Sequence, residues 1–163
     1  MRPASLDLSW WHPAALIATG CGVGLLPLMP GTWASLAALP CGWAIRGLGG
    51  TAALAAAAAI AFALGCWAPA RVAAASGHDD PGFIVIDEVA AQWLVLLAAP
   101  LDWRWYAAAF LLFRLFDIAK PWPIRLMERR VAGGFGIMLD DIVAALYAVV
   151  LLLIAEGMFG VRP

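Results

Sequence analysis

Charge is scarce in this chain. Charged residues make up 13% against 64% hydrophobic, with a mean hydropathy of +0.89, whereas soluble domains are about a quarter charged and about half apolar. The deficit excludes an ordinary soluble domain and makes lipid the solvent that most of the surface has to match. A net charge of -1 and a pI near 6.0 remove the bulk electrostatic case for a nucleic-acid partner. Cysteine is sparse as well: Cys21, Cys41 and Cys66 are odd in number and lack CxxC spacing, which leaves neither a disulfide framework nor a zinc site. Familiar phosphate-handling motifs are missing. There is no DxDx[TV] aspartyl-phosphate signature and no GxxxxGK[ST] loop, and the C-x5-R pattern fails because Cys41 to Arg46 and Cys66 to Arg71 are each one residue short. The N-terminal "MRPASLDLSWWHP" has no compact signal-peptide pattern and is expected to be retained. No repeat or polar linker divides the chain, so one domain over 1–163 is expected.

Long apolar runs are abundant. "GTAALAAAAAIAFALGCWAPA" (50–70) and "IVAALYAVVLLLIAEGMFG" (142–160) are each long enough to cross a hydrocarbon core, about 30 Å thick. "VAAQWLVLLAAPL" (89–101) and "WYAAAFLLFRLF" (105–116) are shorter and are separated by Asp102, Trp103 and Arg104, which suggests a helical hairpin with a polar tip. Upstream, Pro27, Pro30 and Gly31 break the pattern into a re-entrant or broken segment (13–29) and a helix (34–47). Nine tryptophans suit an interfacial belt. The expected fold class is all-α: a polytopic membrane helical bundle of about four transmembrane helices plus a broken or re-entrant N-terminal segment.

If residues 71–88 and 117–141 share one side, that side holds Arg71, Arg114, Lys120, Arg125, Arg129 and Arg130, against Arg46, Arg104 and Arg162 on the other. The excess predicts a cytoplasmic polar face. The same face gathers most of the acids, and those acids raise the question of chemistry.

"GFIVIDEVAAQWL" sets Asp87 and Glu88 side by side in an apolar run, and "GGFGIMLDDIVAALYA" repeats the device with Asp140 and Asp141. Buried carboxylates are costly unless they are paired or hold a metal. Acids also suit helix N-termini, so capping is the bland alternative for either pair. Two pairs plus Asp117 would repel one another, and a hard divalent cation, Mg²⁺ where phosphate is also bound, removes the repulsion. Arg114, Asp117 and Lys120 in "RLFDIAK" are spaced three apart on one helical face, suited to one metal ligand and two phosphate-binding cations, or to a local ion pair. "PGTWAS" brings Thr32 and Ser35 to a helix start, where hydroxyls and N–H groups either hold phosphate or simply cap. His78, in the turn "GHDDPG" with Asp79 and Asp80, is a candidate general acid or base. Arg125, Arg129 and Arg130 suit anionic headgroups.

Four of these stretches, "PGTWASLAALP", "GFIVIDEVAAQW", "FRLFDIAKPWPIR" and "GGFGIMLDDIVAALYA", occur in this order over roughly 12–150, and together they resemble bacterial phosphatidylglycerophosphatase A. Ala34 stands where the family's PGTxGS pattern has Gly, and Ile86 where Trp often precedes the acidic pair. The resemblance implies a Mg²⁺-dependent inner-membrane enzyme, multi-pass with its site facing the cytoplasm, that converts the phospholipid phosphatidylglycerophosphate to phosphatidylglycerol. The expected metal ligands are Asp87, Glu88, Asp117, Asp140 and Asp141. Asp87, Asp141 and His78 are the catalytic candidates, and Arg114, Lys120, Thr32 and Ser35 would bind phosphate. The expected reaction is metal-assisted hydrolysis, with an aspartyl-phosphate route as its rival. Other classes remain in view. An ion-coupled transporter component would carry its acids near mid-membrane. A phospholipid alcohol phosphotransferase would show the DxxDG pattern, which is missing. A non-catalytic scaffold would tolerate neutralisation of Asp87.

Overall fold

The computed structural model describes residues 9–77, 81–131 and 133–159, and within them the chain is all-helical with no strand. Helix α1 (Pro13–Ala18) is short and is followed by a single 3-10 turn (Val23–Leu25). Ala14, Ala15 and Ala18 are fully buried, and the Val85 N–H donates to the Ala18 carbonyl (2.8 Å). The broken segment expected over 13–29 is this helix and turn.

Helix α2 (Pro30–Ser76) begins with proline at its first position, where the missing N–H costs nothing, and it is interrupted at Gly50. Gly50 has φ 71° and ψ -174°, a conformation that is essentially glycine's alone. It divides α2 into a first arm (30–49) and a second arm (51–76). Both arms pack on α3 (Ile86–Ala98) and in opposite directions. Gly31 abuts Glu88, Gly42 abuts Trp93 and Leu96, and the Arg46 guanidinium reaches the Leu96 and Ala99 carbonyls, so the first arm runs parallel to α3. Phe62 and Ala90 line one groove together with Ala55 and Leu97, so the second arm runs back. The Trp93 indole N–H fixes the register by donating to the Ala38 carbonyl (2.9 Å).

Asp102 caps α4 (Trp103–Ala119) by accepting from the Arg104 N–H (2.8 Å), which makes the expected polar tip a helix start. Lys120 ends α4 with φ 43°. A turn and α5 (Ile124–Arg130) lead to α6 (Gly133–Phe159). Here the structure corrects the sequence reading, which began this helix near 142. Gly134 and Gly136 press against the Cys66 and Val131 carbonyls, where a Cβ would collide, so close packing recruits a glycine-rich stretch into the helix. Asp140 and Asp141 are therefore two turns inside α6, and capping no longer explains them.

The main core joins Leu54, Val95, Leu96, Phe113, Ile124, Ala145, Ala148 and Leu152. The exterior is apolar too. Leu111, Leu115 and Ile118 follow one outer stripe of α4 at 64%, 57% and 62% exposure, and Leu146, Val150, Leu153 and Ile154 do the same on α6. Two helices, α2 and α6, are long and apolar enough to cross a membrane.

Candidate active site

Three helices converge on one cluster of acids. Asp87 and Glu88 come from the first turn of α3 and Asp141 from within α6, and one carboxylate oxygen from each lies within 4.8 Å of the others. Asp141 is 4% exposed. From α4, Asp117 Oδ2 forms an ion pair with Arg114 Nη1 (2.5 Å), and the same guanidinium is 3.9 Å from Glu88 Oε1. Asp117, Glu88 and Asp140 all lie within electrostatic reach of Asp141. Lys120 reaches from the end of α4 to Asp140 Oδ2 on α6 (2.8 Å).

Three carboxylates this close repel strongly in a low-dielectric interior unless a cation sits among them. The donor set fits one. Glu88 Oε2 and Asp141 Oδ2 are buried with no protein hydrogen-bond partner, and hard oxygen ligands suit Mg²⁺. Arg114 and Lys120 stand at the rim of the same cluster, where they could also take phosphate oxygens. The arrangement can bind a metal and a phosphate side by side.

Thr32 lies in the first turn of α2, its hydroxyl buried without a protein partner. Its neighbour Gly31 touches Glu88 so closely that a Cβ would strike Oε1. The α2 N-terminus thus abuts the acidic cluster. Ser35 is fully buried, and its hydroxyl donates to the Gly31 carbonyl (2.9 Å), so its proton is engaged inside the helix. His78, with Asp79 and Asp80, lies outside the described residues.

Two residues escaped the sequence reading. Gly31 passed as a helix breaker, although its missing side chain is what lets Glu88 approach. Gln92 is fully buried one turn after Glu88, and neither its amide nitrogen nor its oxygen has a protein partner. The signal was a lone amide in the apolar run "DEVAAQWL", at the i+4 position from an acid.

The profile of the phosphatidylglycerophosphatase A family matches residues 16–156. The chain is similar to phosphatidylglycerophosphatase A of Haemophilus influenzae, 44% identical over 144 residues, which is 88% of each chain. It is similar to phosphatidylglycerophosphatase A of Escherichia coli, 43% identical over 135 residues, covering 82% of this chain and 76% of that one. No solved structure matches the chain. With the family profile spanning most of its length and these identities behind it, the chain belongs to the phosphatidylglycerophosphatase A family.

Proposed function

We propose that the protein is a Mg²⁺-dependent lipid phosphatase of the cytoplasmic membrane that hydrolyses phosphatidylglycerophosphate to phosphatidylglycerol and inorganic phosphate. The phosphatase activity follows from the family and its relatives. The observation that carries the metal reading is the convergence of Asp87, Glu88 and Asp141 within 4.8 Å, beside Arg114 and Lys120.

Asp87, Glu88 and Asp141 would hold the ion, with Asp117 and Asp140 completing the acidic surround. When bound, Mg²⁺ supplies positive charge for the phosphate oxygens and lowers the pKa of a water. Arg114 and Lys120 orient the phosphate, each already tied to an acid that fixes its position. Thr32 offers a hydroxyl at the α2 N-terminus, where the helix dipole favours an anion. In the net reaction a water oxygen bonds to phosphorus, the phosphorus–glycerol oxygen bond breaks, and the freed alkoxide takes a proton.

The apolar outer stripes of α4 and α6 support embedding in lipid. We read the two arms of α2, the α3–α4 pair and α6 as five passes, the upper of the four or five that the sequence allows, because the first arm is helical over 30–49. Helix α3 has 13 residues, so it spans about 20 Å at 1.5 Å per residue. Arg71, Arg114, Lys120 and Arg125 lie toward the acidic end, which supports a site facing the cytoplasm.

The test is phosphate release from phosphatidylglycerophosphate in detergent micelles, with and without Mg²⁺, for wild type and Asp87→Asn. Mg²⁺-dependent release that the substitution abolishes in a folded protein is expected. Release that survives Asp87→Asn would overturn the metal site, and no release from wild type under any divalent cation would overturn the function.

A further inference from the structure

A phosphomonoester of a membrane lipid brings acyl chains with it, and the bundle has a groove in the right place for one. The groove holds about 380 Å³ between the second arm of α2 and α3. Ala55, Ala58 and Ala59 form one wall, Ala90, Leu94 and Leu97 the other, and Ile142 of α6 borders it. Its width comes from alanines, which leave space that larger side chains would fill.

The groove is lined in part by residues next in sequence to the acidic cluster or one turn from it. Asp87, Ala90, Leu94 and Leu97 fall at i, i+3, i+7 and i+10, so they lie along one face of α3 with the carboxylate at its head. Ile142 directly follows Asp141. From Ala90 to Leu97 the groove descends about 10 Å along the helix, away from the acids and toward the middle of the bundle. At its upper end Phe62 packs edge-on against Phe135 of α6, with ring centroids 6.3 Å apart. The lining side chains carry no polar group, which an alkyl chain matches, and the acidic pair at the head of the same face of α3 fits a lipid that carries a phosphate.

We propose that this groove receives an acyl chain of the phospholipid whose phosphate lies at the carboxylate cluster, an inference that rests on the phosphatase reading above. The chain leaves bulk lipid for an equally apolar groove, so it contributes little to affinity by transfer alone. Its contribution is positional: a chain seated beside Asp87 holds the headgroup at the depth of the acids. The residues that decide whether a long-chain substrate is well placed are therefore Ala59, Leu94 and their neighbours, none of which touches the phosphate.

A second groove gives an internal control. It holds about 310 Å³ and is lined by Leu39, Pro40, Trp43, Trp103, Tyr106 and Ala107, beside the start of α4 at the far end from the acids. If both grooves merely collect bulk lipid, filling either has the same effect.

The experiment compares dipalmitoyl and dihexanoyl phosphatidylglycerophosphate in mixed micelles at fixed mole fraction, for wild type, Ala59→Phe and Ala107→Phe. Ala59→Phe is expected to lower kcat/KM for the dipalmitoyl substrate roughly tenfold or more, as loss of positioning does, while leaving the dihexanoyl substrate near wild type. Ala107→Phe should change neither. Equal falls on both substrates, or no change with Ala59→Phe, would overturn the proposal. Independently of any variant, a substrate with a diazirine midway along one acyl chain should label 55–62 and 94–97 of the wild-type protein, and excess unlabelled substrate should suppress that labelling where phosphatidylcholine does not. Labelling indifferent to substrate competition would also overturn it. Failure of the wild type to release phosphate from either substrate would instead defeat the phosphatase reading, while a competed crosslink would still report a seated acyl chain.

Discussion

At one end of the bundle Asp87, Glu88, Asp117, Asp140 and Asp141 meet the cations Arg114 and Lys120. At the other end Glu156, 3% exposed, lies within electrostatic reach of Arg46, whose guanidinium also donates to the Leu96 carbonyl (3.0 Å) and the Ala99 carbonyl. The far end balances one acid with one base and spends that base on the orphan carbonyls that close α3. The near end leaves acids in excess of bases. A folded chain has no reason of its own to crowd unbalanced carboxylates. The far end sets its buried acid against a cation, although Glu156 Oε1 has no hydrogen-bond partner among the described residues, whereas the near end gathers more acids than its own cations balance.

The sharpest way to break this comparison is at Asp141. Asp141→Asn is expected to cut phosphate release about a thousandfold, or about 4 kcal/mol in the barrier. The same change should leave thermal stability in metal-free buffer equal or higher, because it removes one charge from a repelling group. Mg²⁺ at a hundred times its dissociation constant should stabilise wild type by about 2.7 kcal/mol, reversibly with EDTA, and leave the variant unmoved. A lower melting point for Asp141→Asn without metal would make the near end structural after all.

At the far end the expectation inverts. Arg46→Ala strips Glu156 of its neighbouring cation and the Leu96 and Ala99 carbonyls of their donor. It should destabilise the protein by about 3 kcal/mol with kcat of the folded fraction unchanged. Chemical denaturation in micelles alongside activity per folded molecule measures both, and a fall in kcat at full stability would erase the distinction between the ends. The smallest effect is expected at Gly50, remote from either cluster. Gly50→Ala forces a φ of 71° on a residue with a Cβ and should cost about 1–3 kcal/mol of stability. No change in the denaturation midpoint would mean that the arms can reverse without glycine.

Much of this arrangement was legible in the residues. The acidic pairs, the "RLFDIAK" face and the hairpin tip at Asp102 depend on spacing and local capping, which a sequence displays directly. The start of α6 was not legible. Glycine opposes helix by local propensity, and only contact with the Cys66 and Val131 carbonyls, remote or across a turn, reverses that preference at Gly134 and Gly136. Ser35 looked like a phosphate ligand because a hydroxyl near a helix start often is one, but its rotamer turns back to the Gly31 carbonyl. Gln92 and Gly31 matter through what stands next to them in space, and a single sequence does not record neighbours from other helices. The run 34–47 understated the first arm because Pro30 was read as a breaker, when at the first helical position it is a starter.

The order in which the ribosome delivers these pieces gives the acidic cluster one more property. Both arms of α2 are made before α3, so the helix bearing Asp87 and Glu88 arrives with its neighbours already present. Asp141 comes from α6, the last helix of the described chain. A nascent chain halted before α6 docks carries acids but no assembled cluster, and it is as inert as a lock without its bolt. On the proposed site, activity is expected to begin only when α6 seats, so phosphate release would double as a report that α6 has docked.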